Sequence, residues 1–468
     1  MKSRAWWAAG VSVAALVMGA VTAPAATAEP ADFYTPPVEL PAGANGDLIK
    51  SEPSPLLLSV PGSNGAWPAT ATKIMYRSED AKGAPVAVTG TYLEPSNPWT
   101  GQGARPLVAA AVGTHGQGDQ CAPSKLFNTG IEYQFPTDVM VGYESIWVNT
   151  LLLNGIAVVV TDYEGLGTPG DHTYVNREAE AHAVLDSVRA AQQLPNTSIP
   201  ADGPVGLWGY SQGGGAAAAA TELKPSYAPE LDLKGTYAGA PPADLAATLQ
   251  QVDGTFLTGV IGYALNGILA QYPEVQPLLD AEINDRGRQM LAATKNQCVA
   301  ESGLQFGFQQ SSSFTNSGQS LSAVLARLPM AQAILDEQKI GKLTPESPVL
   351  IQHGRSDDIV PFGQGQQLAR DWCDGAVLRQ RTAPDHSGHG NQSCNAVPGG
   401  YPRIRRVHDR SLQQRPSTVQ LLNVNIEKPR NTICSGAFRV STKRSSRPSS
   451  PRGEGVRKRP ADARVGGS

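Results

Sequence analysis

The sequence predicts an α/β fold: a mostly parallel central sheet with helices on both faces and a large helical insertion. Two observations carry this. Leu107 to Val112 (LVAAAV) and Ile156 to Thr161 (IAVVVT) are continuous apolar runs of strand length, as expected of strands covered on both faces. Segments with helical periodicity then alternate with such runs, which is a βαβ progression.

The elements follow in order. Thr72 to Glu94 alternates apolar and polar residues on both sides of Asp80-Ala81-Lys82-Gly83, which predicts an antiparallel hairpin. After the second apolar run, Arg177 to Leu194 sets Ala181, Val184, Leu185, Val188 and Ala191 on one helical face. A strand at Val205 to Trp208, an alanine-rich helix and a strand around Leu233 to Ala238 come next. From Ala243 to Leu343 the alternation stops. The segments LAATLQQV, FLTGVIGYALNGILAQY, VQPLLDAEINDRGRQMLAAT and LSAVLARLPMAQAILDEQKIG read as helices of an inserted subdomain. Pro348 to Gln352 resumes the sheet, Gly365 to Trp372 is a helix, and Ala376 to Arg381 is a last, more polar strand. The expected division is 1–28, 29–242 and 344–402 as the two parts of the core, 243–343 as the insertion, and 403–468 as a basic tail.

Residues 1–28 have a basic start (Lys2, Arg4), an apolar stretch and small residues at Ala26-Thr27-Ala28, the layout of a secretory signal peptide cleaved near Ala28. No later segment offers the roughly twenty apolar residues a membrane span needs, so an exported chain without an anchor is expected. The net charge of -3 hides an asymmetry: residues 403–468 carry 16 Lys+Arg against 4 Asp+Glu, and the body upstream is acidic. Nucleic acid is not an expected partner. The five cysteines form no C-x-x-C pair, and no His and carboxylate cluster has ligand spacing, so neither a metal nor another cofactor is expected.

The chemistry is carried by VGLWGYSQGGGAAAAA, where the strand at Val205 breaks at Gly209-Tyr210-Ser211-Gln212-Gly213 before a helix. A serine at such a tight strand-to-helix turn needs small residues two places to either side, which Gly209 and Gly213 supply. Ser211 is the expected nucleophile, with a helix N-cap as the structural alternative. The Gln212 N–H at the helix start would be one oxyanion donor. A second should come from the loop after the strand at Leu107, where His115 and Gly116 are the candidates; His115 can equally be a polar loop residue without a role. Nucleophile, acid and histidine follow in that order on this fold. Asp357 or Asp358 supplies the acid, and His386 or His389, in TAPDHSGHGNQSC beyond the last strand, the base. His353 reads as a core or turn histidine.

Taken in order, GTHGQGDQCAPS, DYEGLG, GYSQGG, the helical insertion and DDIVPF resemble the secretory lipase family of fungi and actinobacteria over roughly residues 30–402. The resemblance implies an α/β-hydrolase fold with a helical lid and hydrolysis of acylglycerols or simpler esters, in places at an oil–water interface. It implies Ser211 as nucleophile, Asp357 as orienting acid, a histidine at 389 or 386, and a disulfide between Cys121 and Cys298. Rival readings are a peptidase or acyltransferase on the same fold, or an inactive surface-binding protein. After Pro402 the sequence departs from the family, which closes with an amphipathic helix and a cysteine. Codons allowed for Arg403 to Asn423, read one nucleotide later, can spell such a helix and cysteine, so 403–468 is expected to be a frameshift product; a natural basic tail is the alternative.

Overall fold

The computed structural model describes residues 32–57 and 67–373, and the backbone of two further strands at 378–381 and 389–394. The expected signal peptide at 1–28, His386 and the tail at 403–468 lie outside the described residues.

The chain begins with β1 (Leu48–Ser54), β2 (Ala69–Glu79) and β3 (Pro85–Pro95). The hairpin predicted around Asp80 joins β2 to β3 in antiparallel register from Ala69↔Pro95 to Glu79↔Pro85. Its turn is held by the Asp80 carboxylate, which accepts from the N–H groups of Lys82 and Ala84, while Gly83 takes φ +81°. Next come β4 (Leu107–Ala111), α1 (Pro123–Thr129), a separate two-stranded hairpin of β5 (Ile131–Gln134) and β6 (Asp138–Val141), α2 (Ser145–Leu153) and β7 (Ala157–Thr161). α3 (Arg177–Gln192), β8 (Pro204–Tyr210), α4 (Gln212–Tyr227) and β9 (Asp232–Gly239) complete the first half.

The sheet runs β1-β2-β3-β7-β4-β8-β9 and continues with β10 (Val349–Gly354). Strands β7, β4, β8, β9 and β10 are parallel neighbours, and every residue of β7 is buried, as a doubly covered strand requires. α3 and α4 pack on each other and on one face of this sheet; α3 starts at Asn176, whose side chain accepts from the Ala179 N–H.

Between β9 and β10 the chain is helical: α5 (Leu245–Val252), α6 (Val260–Gln271), α7 (Gln276–Glu282), α8 (Asp285–Thr294), α9 (Val299–Phe306), α10 (Leu321–Ala326) and α11 (Pro329–Glu337). Two stretches expected as single helices are each broken in two. The first breaks at Ile283-Asn284, because Asn284 caps α8 at the Gly287 N–H and its amide also reaches the carbonyls of Ser313 and Thr315. The second breaks at Leu328, which precedes Pro329 and is therefore pushed to extended backbone. A disulfide between Cys121 and Cys298, 177 residues apart in sequence, fastens the insertion to the loop after β4.

α12 (Phe362–Trp372), β11 (Leu378–Arg381) and β12 (His389–Cys394) close the described chain. The strand expected as the last, at Ala376 to Arg381, is not the last: His389–Cys394 forms β12, which lies antiparallel between β10 and β11. Among the described residues no helix is long and apolar enough to cross a membrane.

Candidate active site

Ser211 stands between β8 and α4 with φ 59° and ψ -123°, a left-handed conformation that a non-glycine residue holds only when its surroundings impose it. Its N–H donates to the Gly239 carbonyl at 2.9 Å, and its carbonyl accepts from the Gly215 N–H at 3.0 Å. The flanking glycines are required by close approach. A Cβ on Gly209 would lie 1.9 Å from the Gly213 carbonyl oxygen, and one on Gly213 would lie 2.0 Å from that of Ala111 at the end of β4. Ser211 holds the N-cap position of α4, but its side chain makes no capping bond.

Ser211 and Gln212 open onto a cavity between the carboxyl edge of the sheet and the helical insertion. The lining is aliphatic apart from Thr114, Tyr174, Ser211, Gln212, Thr248 and Glu282. Helices α5, α6, α7, α10 and α11 all contribute to it, and Ile359 and Val360 come from the loop after β10.

Gln212 belongs to the first turn of α4, whose N–H groups have no intrahelical acceptor. Its side chain is buried and donates from Nε2 to Glu180 Oε1 at 2.7 Å and to His172 Nε2 at 3.1 Å. His172 Nδ1 in turn donates to the Glu164 carbonyl at 2.9 Å, which leaves Nε2 as the acceptor. Burial holds both partners neutral near pH 7: it pushes the Glu180 carboxyl up to about 8 and the His172 ring down to about 4. The residue after the nucleophile is thus clamped from behind by an uncharged pair.

In the loop after β4, Thr114 is placed differently from the candidate donors His115 and Gly116. Thr114 lines the cavity, and its hydroxyl bonds the Tyr174 hydroxyl at 2.7 Å. His115 does not line it. Its ring is buried, stacks on Tyr143, bonds the Gly113 carbonyl through Nδ1 and sets Nε2 3.3 Å from Glu144 Oε2. Burial opposes its charge, and the Glu144 carboxylate overcomes that and holds the ring above the usual histidine value. Glu144 also accepts from the Gly113 N–H at 2.9 Å, so His115 and Glu144 together brace the turn. Gly116, also outside the cavity lining, bridges to Cys298 with φ +143°.

The two adjacent aspartates stand differently. Asp357 is turned inward, and its Oδ1 accepts from the N–H groups of Ile359 and Val360 at 3.0 and 2.8 Å; Asp358 is exposed. Neither caps α12, whose N-cap is Pro361. His353 is buried and bonds the Val360 carbonyl through Nε2 at 2.9 Å, with Asp357 Oδ2 3.6 Å away. The backbone of His389 pairs with Gly354 at the carboxyl end of β10, the edge that also carries Ser211 and Asp357. Asp162 of DYEGLG is structural: it accepts from the Thr89 and Ser124 hydroxyls and the Ser124 N–H, tying β3 and β7 to α1. Among the described residues, the close grouping of His, Cys and carboxylates is Cys121, Asp138 and Cys298, and its two sulfurs are joined in the disulfide.

The sequence matches the profile of the Secretory lipase family over residues 132–410. Lipase 10 of Candida albicans is 32% identical over 390 residues, covering 80% of this chain and 79% of its own. The chain belongs to the secretory lipase family. The Secreted triacylglycerol lipase LIP1 of Malassezia furfur is 26% identical, covering 81% of this chain and 74% of its own. Another relative of the family, 27% identical with 74% of each chain covered, is named "Probable inactive lipase MT1628" of Mycobacterium tuberculosis. The crystal structure of Candida antarctica lipase A in its closed state superposes with a TM-score of 0.62 at 25% identity, over 73% of this chain and 77% of that one. The secretory lipase fold of this chain is accordingly the α/β-hydrolase fold.

Sequence reading missed three residues around this site. Tyr174 carries no motif. Glu180 did leave a signal, since it lies four and eight residues before Val184 and Val188, a carboxylate on the buried stripe of α3. Glu144 left none, because its role depends on a loop distant in sequence.

Proposed function

We propose that this member of the family is a secreted serine esterase that hydrolyses acylglycerols through an acyl-enzyme. The observation that carries the reading is the strained Ser211 on the floor of an aliphatic cavity roofed by the helical insertion. Ser211 Oγ attacks the ester carbonyl, and His389 takes its proton and returns it to the leaving alcohol. Asp357, with Oδ1 held by two backbone N–H groups, keeps Oδ2 for the imidazole. The Gln212 N–H and a backbone donor of the Thr114–Gly116 turn stabilise the oxyanion. The acyl chain lies in the aliphatic cavity, and residues 243–343 act as its lid. The same opening and closing admits substrate from a lipid phase.

Purified protein tested on tributyrin beside Ser211→Ala checks this reading. The variant is expected to lose about three orders of magnitude or more in kcat, and equal rates in both would end it. His389→Ala is expected to lose a comparable factor and His386→Ala to keep most of the rate; the reverse would move the base to His386. An inactive protein is the second reading, favoured by the relative named as an inactive lipase. It predicts no difference between wild type and Ser211→Ala on tributyrin or on short p-nitrophenyl esters.

A further inference from the structure

The β5–β6 hairpin inverts the usual pattern of a surface hairpin. Ile131 pairs with Val141 and Tyr133 with Val139, so these four side chains share one face. That face looks outward, with exposures of 51%, 45%, 59% and 40%, and Phe135 in the connecting turn is 88% exposed. On β6 the alternate positions point in, while on β5 Glu132 is half-buried and Gln134 exposed. Met140 is buried in the cluster around Cys121 and Cys298, and Asp138 is buried while accepting from Gln120 Nε2 and the Cys298 N–H. A hairpin covered on one side ordinarily puts polar residues outside. Here the acid is inside and the apolar residues are outside.

The inner contacts fix this register. Slipping the hairpin by one residue would bury Tyr133 and Val139 but would release Asp138 from its partners and Met140 from its cluster. The outward apolar face is therefore a consequence of how the hairpin is anchored.

The face also leads to the candidate site. Tyr143, 43% exposed, follows β6 and donates from its hydroxyl to the Thr114 carbonyl at 3.0 Å. Ile146, 64% exposed, opens α2 beside it. The strip thus runs from Phe135 to the loop whose Thr114 shares the cavity with Ser211. Its chemistry selects an occupant. Phenol-bearing rings stand at Tyr133 and Tyr143 with a bare ring at the tip, the side-chain types that settle at a boundary between water and hydrocarbon. None of the strip's named side chains is charged, whereas an anionic headgroup surface would call for lysine or arginine.

We infer that the hairpin at residues 131–143 anchors the protein to an uncharged lipid surface and turns the cavity mouth toward it. The inference rests on the proposed function only for the choice of lipid as occupant.

The test uses the full chain and Phe135→Ser, alone and combined with Tyr133→Ser. Adsorption is measured by flotation with triolein droplets coated in phosphatidylcholine. Rates are measured on emulsified tributyrin and on dissolved p-nitrophenyl butyrate. The variants are expected to lose at least about tenfold in droplet partitioning and in emulsion rate, with the dissolved-ester rate within about twofold of wild type. Unchanged droplet binding would overturn the anchor, as would binding that requires anionic lipid. A wild-type dimer that Phe135→Ser dissociates, with droplet binding unaltered, would assign the face to a second copy instead. If the double variant fails to fold, Phe135→Ser alone decides, since its ring is at the exposed tip. The two readings fail separately: flotation lost in the variants of a protein that hydrolyses neither ester keeps the anchor and ends the esterase, while ester hydrolysis without flotation does the opposite.

Discussion

The nucleophile turn is set by three residues whose backbones crowd each other, which makes their substitution informative. Gly213→Ala would place a methyl group 2.0 Å from the Ala111 carbonyl oxygen, a contact that no rotamer can relieve because both partners are backbone-fixed. The turn must shift instead, and a displacement of a few tenths of an ångström at Ser211 and at the Gln212 N–H misaligns both attack and oxyanion support. Gly213→Ala is expected to lower kcat on p-nitrophenyl butyrate by about a hundredfold and to lower Tm, the overpacking itself costing about 1–3 kcal/mol. A variant with wild-type kcat would show that the turn tolerates a side chain there. The motif made this site legible, since G-x-S-x-G states the steric demand in its own letters. The His115 ring shows the opposite case: it bonds Glu144, a contact between residues 29 apart that no local pattern announces.

At the scale of elements, the sequence resolved those whose periodicity belongs to one continuous face. LAATLQQV became α5 with the same bounds, and the apolar runs became β4 and β7. It misjudged elements set by local breaks or by partners: Asn284 and Pro329 each divided an apparent helix, and β12 takes its place from the neighbours β10 and β11. The joint between elements was invisible too. Glu222 on α4 is buried and accepts from Arg177 on α3 at 2.8 Å, from the Trp372 indole on α12 at 2.8 Å and from the Gly341 N–H after α11 at 2.6 Å. One carboxylate therefore connects two core helices, the last helix and the exit of the insertion. Glu222→Ala leaves the buried Arg177 guanidinium and three further donors, the Trp372 indole and the N–H groups of Gly341 and Leu343, without this acceptor, and removing one partner of a buried pair costs about 3–5 kcal/mol. Chemical denaturation should report a loss of that size. A change under about 1 kcal/mol would mean that water replaces the carboxylate.

For the whole molecule, the buried ionisable groups behind the site give stability a definite pH dependence. Burial raises Glu180 from 4.5 to about 8 and Glu164 from 4.5 to about 7. A carboxyl whose folded value lies above its unfolded one binds more protons when folded, so its stabilising contribution is present below 4.5 and is lost as pH rises through the folded value. His172 acts in the opposite sense, because burial lowers it from 6.5 to about 4, and stability is lost as pH falls through that interval. Between 4.5 and 6.5 the two signs oppose each other. Above 6.5 the histidine is neutral in both states and only the carboxyl terms of this group remain, so unfolding free energy should fall from pH 6.5 to 8. Glu180→Gln removes the largest of these terms while keeping an oxygen for the Gln212 amide and the Val175 N–H, both of which donate to Glu180 Oε1. The variant is expected to flatten the slope above pH 6.5 and to gain on the order of a few kcal/mol at pH 8 relative to wild type. Urea titrations at pH 5.5, 6.5 and 8 measure this directly. Parallel pH curves for wild type and Glu180→Gln would mean that Glu180 carries the same charge folded and unfolded, and the neutral clamp on Gln212 would then have to be replaced by a charged one.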